Sequence, residues 1–142
     1  MTKKIEAIVR EERMNDVKSA LFRIGILGMN IVHVQGHGRT QVSLDGFAGD
    51  QPSDMLSRVQ FNIVLSDHNV DETIKTICQA AYTGEAGDGL ILVYPVEQVV
   101  RIRTGERGRQ ALKYKGDIDE QGEQAWQAEL VGVVSGPLLP EP

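Results

Sequence analysis

Val59–Val93 reads VQFNIVLSDHNVDETIKTICQAAYTGEAGDGLILV, and the changes of period along it decide the fold. From Val59 to Leu65 the alternation is set by Val59, Phe61 and Ile63, the period of a half-buried strand. Past Asp67, placed near the start of the next element, the period turns helical. Val70, Ile74, Ile77, Cys78 and Ala81 make one apolar stripe over 70–82. Thr83–Gly89, TGEAGDG, then sets three glycines in seven residues, and Leu90–Val93 is the short apolar run of a buried strand. Strand, helix, glycine loop and strand form one complete βαβ unit.

The glycine loop also carries chemistry. Glycines reach conformations that a Cβ forbids, and successive N–H groups in such a turn make a concavity suited to an anion such as phosphate. Shortly after it comes Arg101-Ile-Arg-Thr-Gly105, where alternation in an extended segment sets Arg101 and Arg103 on one side. Either feature alone reads as an ordinary turn or a solvated pair. Their co-occurrence favours a phosphate-bearing ligand.

Working outward, the same order recurs upstream. Lys4–Arg10, KIEAIVR, alternates Ile5, Ala7 and Val9 as a strand. Asn15 or Asp16 can cap a helix built on Val17, Ala20, Leu21 and Ile24, with Gly25 as its C-terminal stop. Met29–Gln35 is rich in β-branched residues and reads as a strand, ending at Gly36-His37-Gly38-Arg39. From Thr40 to Ser57 the period disappears, leaving a loop of about 17 residues, a length at which loops in compact domains usually carry function. The order β-α-β, long loop, β-α-β is that of an α+β ferredoxin-like double βαβ sandwich. Two helices cover one face of such a sheet, and apolar residues on the other face call for oligomerisation.

Composition bounds the function. A chain of 142 residues with 25% charged and 41% hydrophobic side chains reads as one globular domain, not a disordered segment. No apolar run approaches membrane-spanning length, and Glu6 interrupts the first one, Ile5–Val9, so the expectation is a cytoplasmic protein with no direct membrane insertion. The net charge of −5 argues against nucleic acid as a partner. A local cluster of Arg101, Arg103, Arg107, Arg109, Lys113 and Lys115 still suits a small polyanion. Cys78 is the sole cysteine, leaving neither an intrachain disulfide nor a cysteine metal site. His33, His37 and His68 have no metal-ligand spacing, and no Ser-His-Asp set or carboxylate pair with assignable roles is visible. A ligand-sensing regulator is therefore favoured over a slow nucleotide hydrolase.

From Lys3 to about Gly108 the chain closely resembles the PII signal-transduction family of nucleotide-binding regulators of nitrogen and carbon metabolism. The resemblance rests on Lys4-Ile5-Glu6-Ala7-Ile8, Gly36-His37-Gly38-Arg39, Thr83-Gly84, Gly87-Asp88-Gly89 and Pro95-Val96-Glu97 followed by Arg101–Gly105. It implies a homotrimer with a nucleotide (ADP, AMP or ATP) in each cleft between subunits. By matching position, Ile8, Gly28, Met29, Asn30 and Val64 would surround the adenine. Gly36, Gly38, Arg39, Gly87, Asp88 and Gly89 would hold ribose and phosphates, with Arg101 and Arg103 reaching across from the adjacent subunit. The loop at about 39–58 would bind a target transporter or enzyme.

Three departures sharpen the expectation. Typical members have lysine where this chain has Leu90, so one cationic phosphate contact is missing. At roughly 1.5–3 kcal/mol for a charge-assisted bond, that loss weakens triphosphate binding by about ten- to a hundredfold and favours ADP or AMP. Thr40 stands where typical members use a glutamine for magnesium and 2-oxoglutarate, while Arg58 keeps a cation for a small anion. The 39–58 loop lacks the tyrosine that many relatives uridylylate. PII-like relatives linked to inorganic carbon, with adenine nucleotides and bicarbonate as ligands, share such departures; the alternative is an ordinary nitrogen sensor of ATP and 2-oxoglutarate. The ferredoxin-like domain is expected over 1–112. The extension 113–142 reads either as a disordered tail or, from Trp126 and Leu130 at i, i+4, as a helix over 121–130 docked on the trimer.

Overall fold

The structure, a computed structural model, describes residues 1–36 and 56–120. Its elements are β1 (Thr2–Arg10), α1 (Met14–Arg23), β2 (Asn30–Gly36), β3 (Leu56–Ser66), α2 (Val70–Ala81) and β4 (Gly89–Val96). The strands make one antiparallel sheet in the order β2-β3-β1-β4, the ferredoxin-like α+β architecture that the period changes indicate.

Alternation decides which side chains meet the helices. Ile5, Ala7 and Val9 of β1 and Val59, Phe61, Ile63 and Leu65 of β3 are all buried on one face. Val17, Ala20 and Leu21 of α1 and Val70, Thr73, Ile77 and Ala81 of α2 are the buried positions of the helices that pack over that face. Each fully buried aliphatic side chain contributes about 1.5–3 kcal/mol, so this layer supplies most of the driving force.

The ends of α1 show how the chain is turned. Its entry differs from expectation: Asn15 and Asp16 lie inside the helix, which is entered through a 3-10 turn at Glu11–Arg13. Arg13 occupies the N-cap without a side-chain capping bond, and its Nη1 instead donates to the Asp16 carboxylate at 3.0 Å. The exit follows expectation. Gly25 has φ +97°, its N–H donates to the Phe22 carbonyl, and the Ile26 N–H donates to that of Leu21, which together make a Schellman cap. A Cβ on Gly25 would lie 3.0 Å from the backbone nitrogen of Ile118.

In α2, Thr73 takes a fully buried place, its hydroxyl donating to the Asn69 carbonyl at 2.8 Å. Cys78, expected in the buried stripe, is exposed and Ile74 only half-buried. Both turn toward a groove of about 300 Å³ between α2 and β4, which Ala81 and Ile91 also line. The strands run longer than their apolar cores: β3 starts at Leu56 and β4 ends at Val96.

The second face of the sheet carries Lys4, Glu6 and Ile8 of β1 with Val32, Val64, Leu90 and Tyr94 from the other strands. Val32 is 44% and Leu90 58% exposed, so apolar area faces outward. Glu6 accepts from the Tyr94 hydroxyl at 2.6 Å and from Gln60 Nε2 at 2.7 Å.

Residues 113–120 do not leave the domain. Ile118 joins the core, its N–H donating to the Gly25 carbonyl, while Asp119 is buried against Ser66 and Asn69. The expected helix over 121–130 lies outside the described residues.

Candidate functional site

The glycine loop joins α2 to β4, and three glycines shape it: Gly84, Gly87 and Gly89, with φ of +89°, +102° and +107°. Gly89 is the strictest. A Cβ there would sit 1.8 Å from the carbonyl oxygen of Ile8, because the loop enters the sheet directly against β1.

Part of the expected anion concavity is already filled by the protein itself. The Asp88 carboxylate accepts from the Thr83 amide at 2.8 Å, the Thr83 hydroxyl, the Gly84 amide at 3.0 Å and Arg10 Nε at 2.9 Å. These donors, the Thr83 hydroxyl and amide before Arg10, hold its carboxyl well below the usual carboxylate range. Asp88 is thus a brace for the loop, a role its place among glycines did not reveal. Among the described residues the amides of Ala86 and Gly87, at the tip of the turn before Asp88, enter no such internal bond and are available to an outside anion.

Two guanidiniums flank that spot. Nη2 of Arg10 and Nη2 of Arg58 both come within 3.2 Å of where a Cβ on Gly87 would stand. Arg10 is committed to Asp88 and to the Ala86 carbonyl at 2.7 Å, whereas Arg58 bonds the Ser57 carbonyl through Nη1 at 3.2 Å. Arg58 and Arg10 are opposite each other in the β1–β3 register, which is what brings them to one corner. Arg10 had no signal in the sequence beyond its place at a strand end.

The residues expected around a nucleotide fall into two groups. Ile8, Gly87, Asp88, Gly89 and Leu90 gather where β1 ends and β4 begins, with Gly36 at the same end of β2. Gly28, Met29, Asn30 and Val64 lie toward the opposite end. Ile8 is opposite Gln60 and Val64 opposite Lys4, four residues or about 13 Å apart along the strands. Gly36 and Asn30 are six residues or about 20 Å apart. Within one chain the two groups thus sit toward opposite ends of the strands. Gly38, Arg39, Thr40 and His37 lie outside the described residues.

Arg101 and Arg103 correct the sequence reading. They do not alternate along an extended segment; residues 102–104 form a turn, closed by Gly105 N–H to the Arg101 carbonyl at 2.7 Å and framed by the bridge Val100–Arg107. Arg103 is exposed beside Ile102, which is 99% exposed. Arg101 points inward, donating through Nη2 to the carbonyls of Ala111 and Lys113 and lying over the Tyr114 ring. Tyr114 also touches the Gly28 position, so Arg101 belongs to the second group of residues. Among the described residues no cluster of three His, Cys, Asp or Glu side chains could hold a metal, and no helix is long and apolar enough to cross a membrane.

A family model described as nitrogen regulatory protein P-II matches residues 2–106. The chain is 43% identical over 111 residues to the nitrogen regulatory protein P-II of Microchaete diplosiphon, covering 78% of this chain and 99% of that protein. It is 44% identical over 117 residues to the P-II homolog of Arabidopsis thaliana, covering 81% of this chain and 60% of that one. A solved structure described as Arabidopsis thaliana PII bound to citrate is similar with a TM-score of 0.63 at 42% identity, over 78% of this chain and 91% of that chain.

Proposed function

The chain belongs to the nitrogen regulatory protein P-II family, and from that premise we propose that it is a signalling regulator that binds adenine nucleotides between copies of itself and controls a transporter or enzyme through its 39–58 loop. The observation that carries this reading is the division of the expected ligand residues between two ends of the sheet, about 13–20 Å apart. A nucleotide touching both groups needs the second group from a neighbouring copy, and a homotrimer that buries the open, partly apolar sheet face supplies it.

Leu90 sets the preference. It is 58% exposed beside the glycine loop and offers a γ-phosphate neither charge nor donor, so ADP or AMP binds at least as tightly as ATP. The corner of Arg10, Arg58 and the Gly87 amide takes a small carboxylate or bicarbonate; a relative's structure holding citrate supports an anion of that class. The missing cation at Leu90, rather than the anion corner, is what favours a carbon-linked signal over the ordinary pairing of ATP with 2-oxoglutarate.

Calorimetry with ADP, AMP and ATP, each with and without magnesium, bicarbonate and 2-oxoglutarate, tests the reading. Leu90→Lys is expected to improve ATP by about ten- to a hundredfold and to leave AMP nearly unchanged. Tight ATP binding by the unmodified protein that appears only with 2-oxoglutarate would overturn the carbon-linked reading.

A further inference from the structure

Arg101 has two sets of partners open to it and occupies one. Its Nη2 bonds the carbonyls of Ala111 at 2.8 Å and Lys113 at 3.1 Å, and its guanidinium carbon lies 4.6 Å from the centre of the Tyr114 ring. Nε is buried yet makes no hydrogen bond among the described residues; the Glu106 carboxylate, 3.7 Å away, is an ion-pair partner outside bonding distance. A guanidinium stays charged, and a buried donor left unpaired costs free energy. A phosphate or diphosphate accepts from Nε and Nη2 together in the forked geometry that two carbonyls and a ring face do not provide.

The segment that holds Arg101 is itself anchored elsewhere. Ile118 is 5% exposed in the core, and its N–H reaches the Gly25 carbonyl at 2.9 Å. The Asp119 carboxylate accepts from Asn69 Nδ2 at 2.7 Å and from the Ser66 amide at 3.2 Å. The Asp117 N–H closes the turn onto the Tyr114 carbonyl at 2.9 Å. Tyr114 is thus fixed from the C-terminal side while Arg101 rests on it from the other. Arg103, on the same turn, is left outward.

We propose that residues 108–120 are a built-in competitor for the nucleotide's phosphates: their docked form withdraws Arg101 from the ligand, and a phosphate that captures Arg101 loosens the segment. The inference rests on the reading above in which Arg101 is a phosphate ligand. Coupling of this kind is reciprocal, so whatever tightens the segment weakens nucleotide binding by the same factor. The signal leaving the protein then has a second outlet besides the 39–58 loop, namely the state of the C-terminal segment.

The test uses the full-length protein with ADP as probe. Tyr114→Leu removes the ring face and keeps apolar bulk at a half-exposed position; ADP affinity is expected to rise about three- to tenfold. Adenosine, which has no phosphate to take the arginine, is expected to show no such gain. In hydrogen exchange, ADP added to the unmodified protein speeds the amides of Asp117 and Ile118, and Arg101→Ala speeds them without any nucleotide. Arg101→Ala also weakens ADP. If Arg101→Ala leaves ADP binding unaltered, the phosphate-ligand reading falls and the proposal with it. If Arg101→Ala weakens ADP but Tyr114→Leu fails to tighten it, or ADP slows exchange at 117–118, the competitor alone is overturned and the ligand reading stands.

Discussion

At the scale of single residues, the glycine loop shows two demands that one motif conceals. Gly89 is required by space and by φ together, since its absent Cβ would meet the Ile8 carbonyl at 1.8 Å. Gly89→Ala is expected to cost about 2–4 kcal/mol in urea denaturation, from backbone displacement in the β1–β4 ladder and left-handed strain. Asp88 is required for charge. Its depressed pKa contributes stability that is fully present above the ordinary value of 3.8 and lost as the pH falls below it toward the folded value. Asp88→Asn should lower the denaturation midpoint at neutral pH and flatten the acid limb below about pH 4, read from midpoints between pH 2 and 7. An unchanged acid limb would show that Arg10 and Thr83 do not hold the ionised form.

At the scale of elements, the segment after β4 behaves as part of the domain. Asp117 caps its helical start by accepting the Asp119 amide at 3.0 Å, and burial pushes the Asp117 carboxyl above its ordinary value. A raised carboxyl favours the protonated docked form. That contribution is fully present below the unfolded value of 3.8 and lost as the pH rises through the folded value, so docking tightens in mild acid. Asp117→Asn keeps a capping oxygen without the charge. It is expected to change stability at pH 7 by no more than about 1 kcal/mol, in the stabilising direction, and to remove this group's pH dependence. Amide exchange at Ile118 in both proteins at pH 4 and pH 7 checks it; an equal pH response in both would reject the assignment.

At the scale of the whole molecule, the helices satisfy one face of the sheet and leave Val32, Val64, Leu90 and Tyr94 outward on the other. In the proposed homotrimer that face is internal. Val32→Glu, on edge strand β2, is therefore expected to leave the helix-covered core intact while shifting light-scattering mass from trimer toward monomer and weakening ADP, whose residues would no longer meet. A variant that stays trimeric would place the contact elsewhere. Both outcomes leave circular dichroism near that of the unmodified protein, because Val32 does not face the core.

The sequence alone determined the order of strands and helices, the single domain core, the Gly25 stop and the place of the glycine loop. Those are written in local period and in glycines whose backbone demands a turn, and both can be read without knowing what packs against what. It did not determine where the charges go. Arg10 finds Asp88 across 78 positions, Asp119 finds Ser66 across 53, and Arg101 finds carbonyls that lie past the family-like region. Strand register and the docking of Ile118 select these partners, and neither leaves a periodic trace. The start of α1 escapes the capping pattern for a local reason: a 3-10 turn and the Arg13–Asp16 pair replace the side-chain cap. Tertiary structure also decided that the residues expected around one ligand lie toward two ends of the sheet, because four to six residues of extended strand separate them.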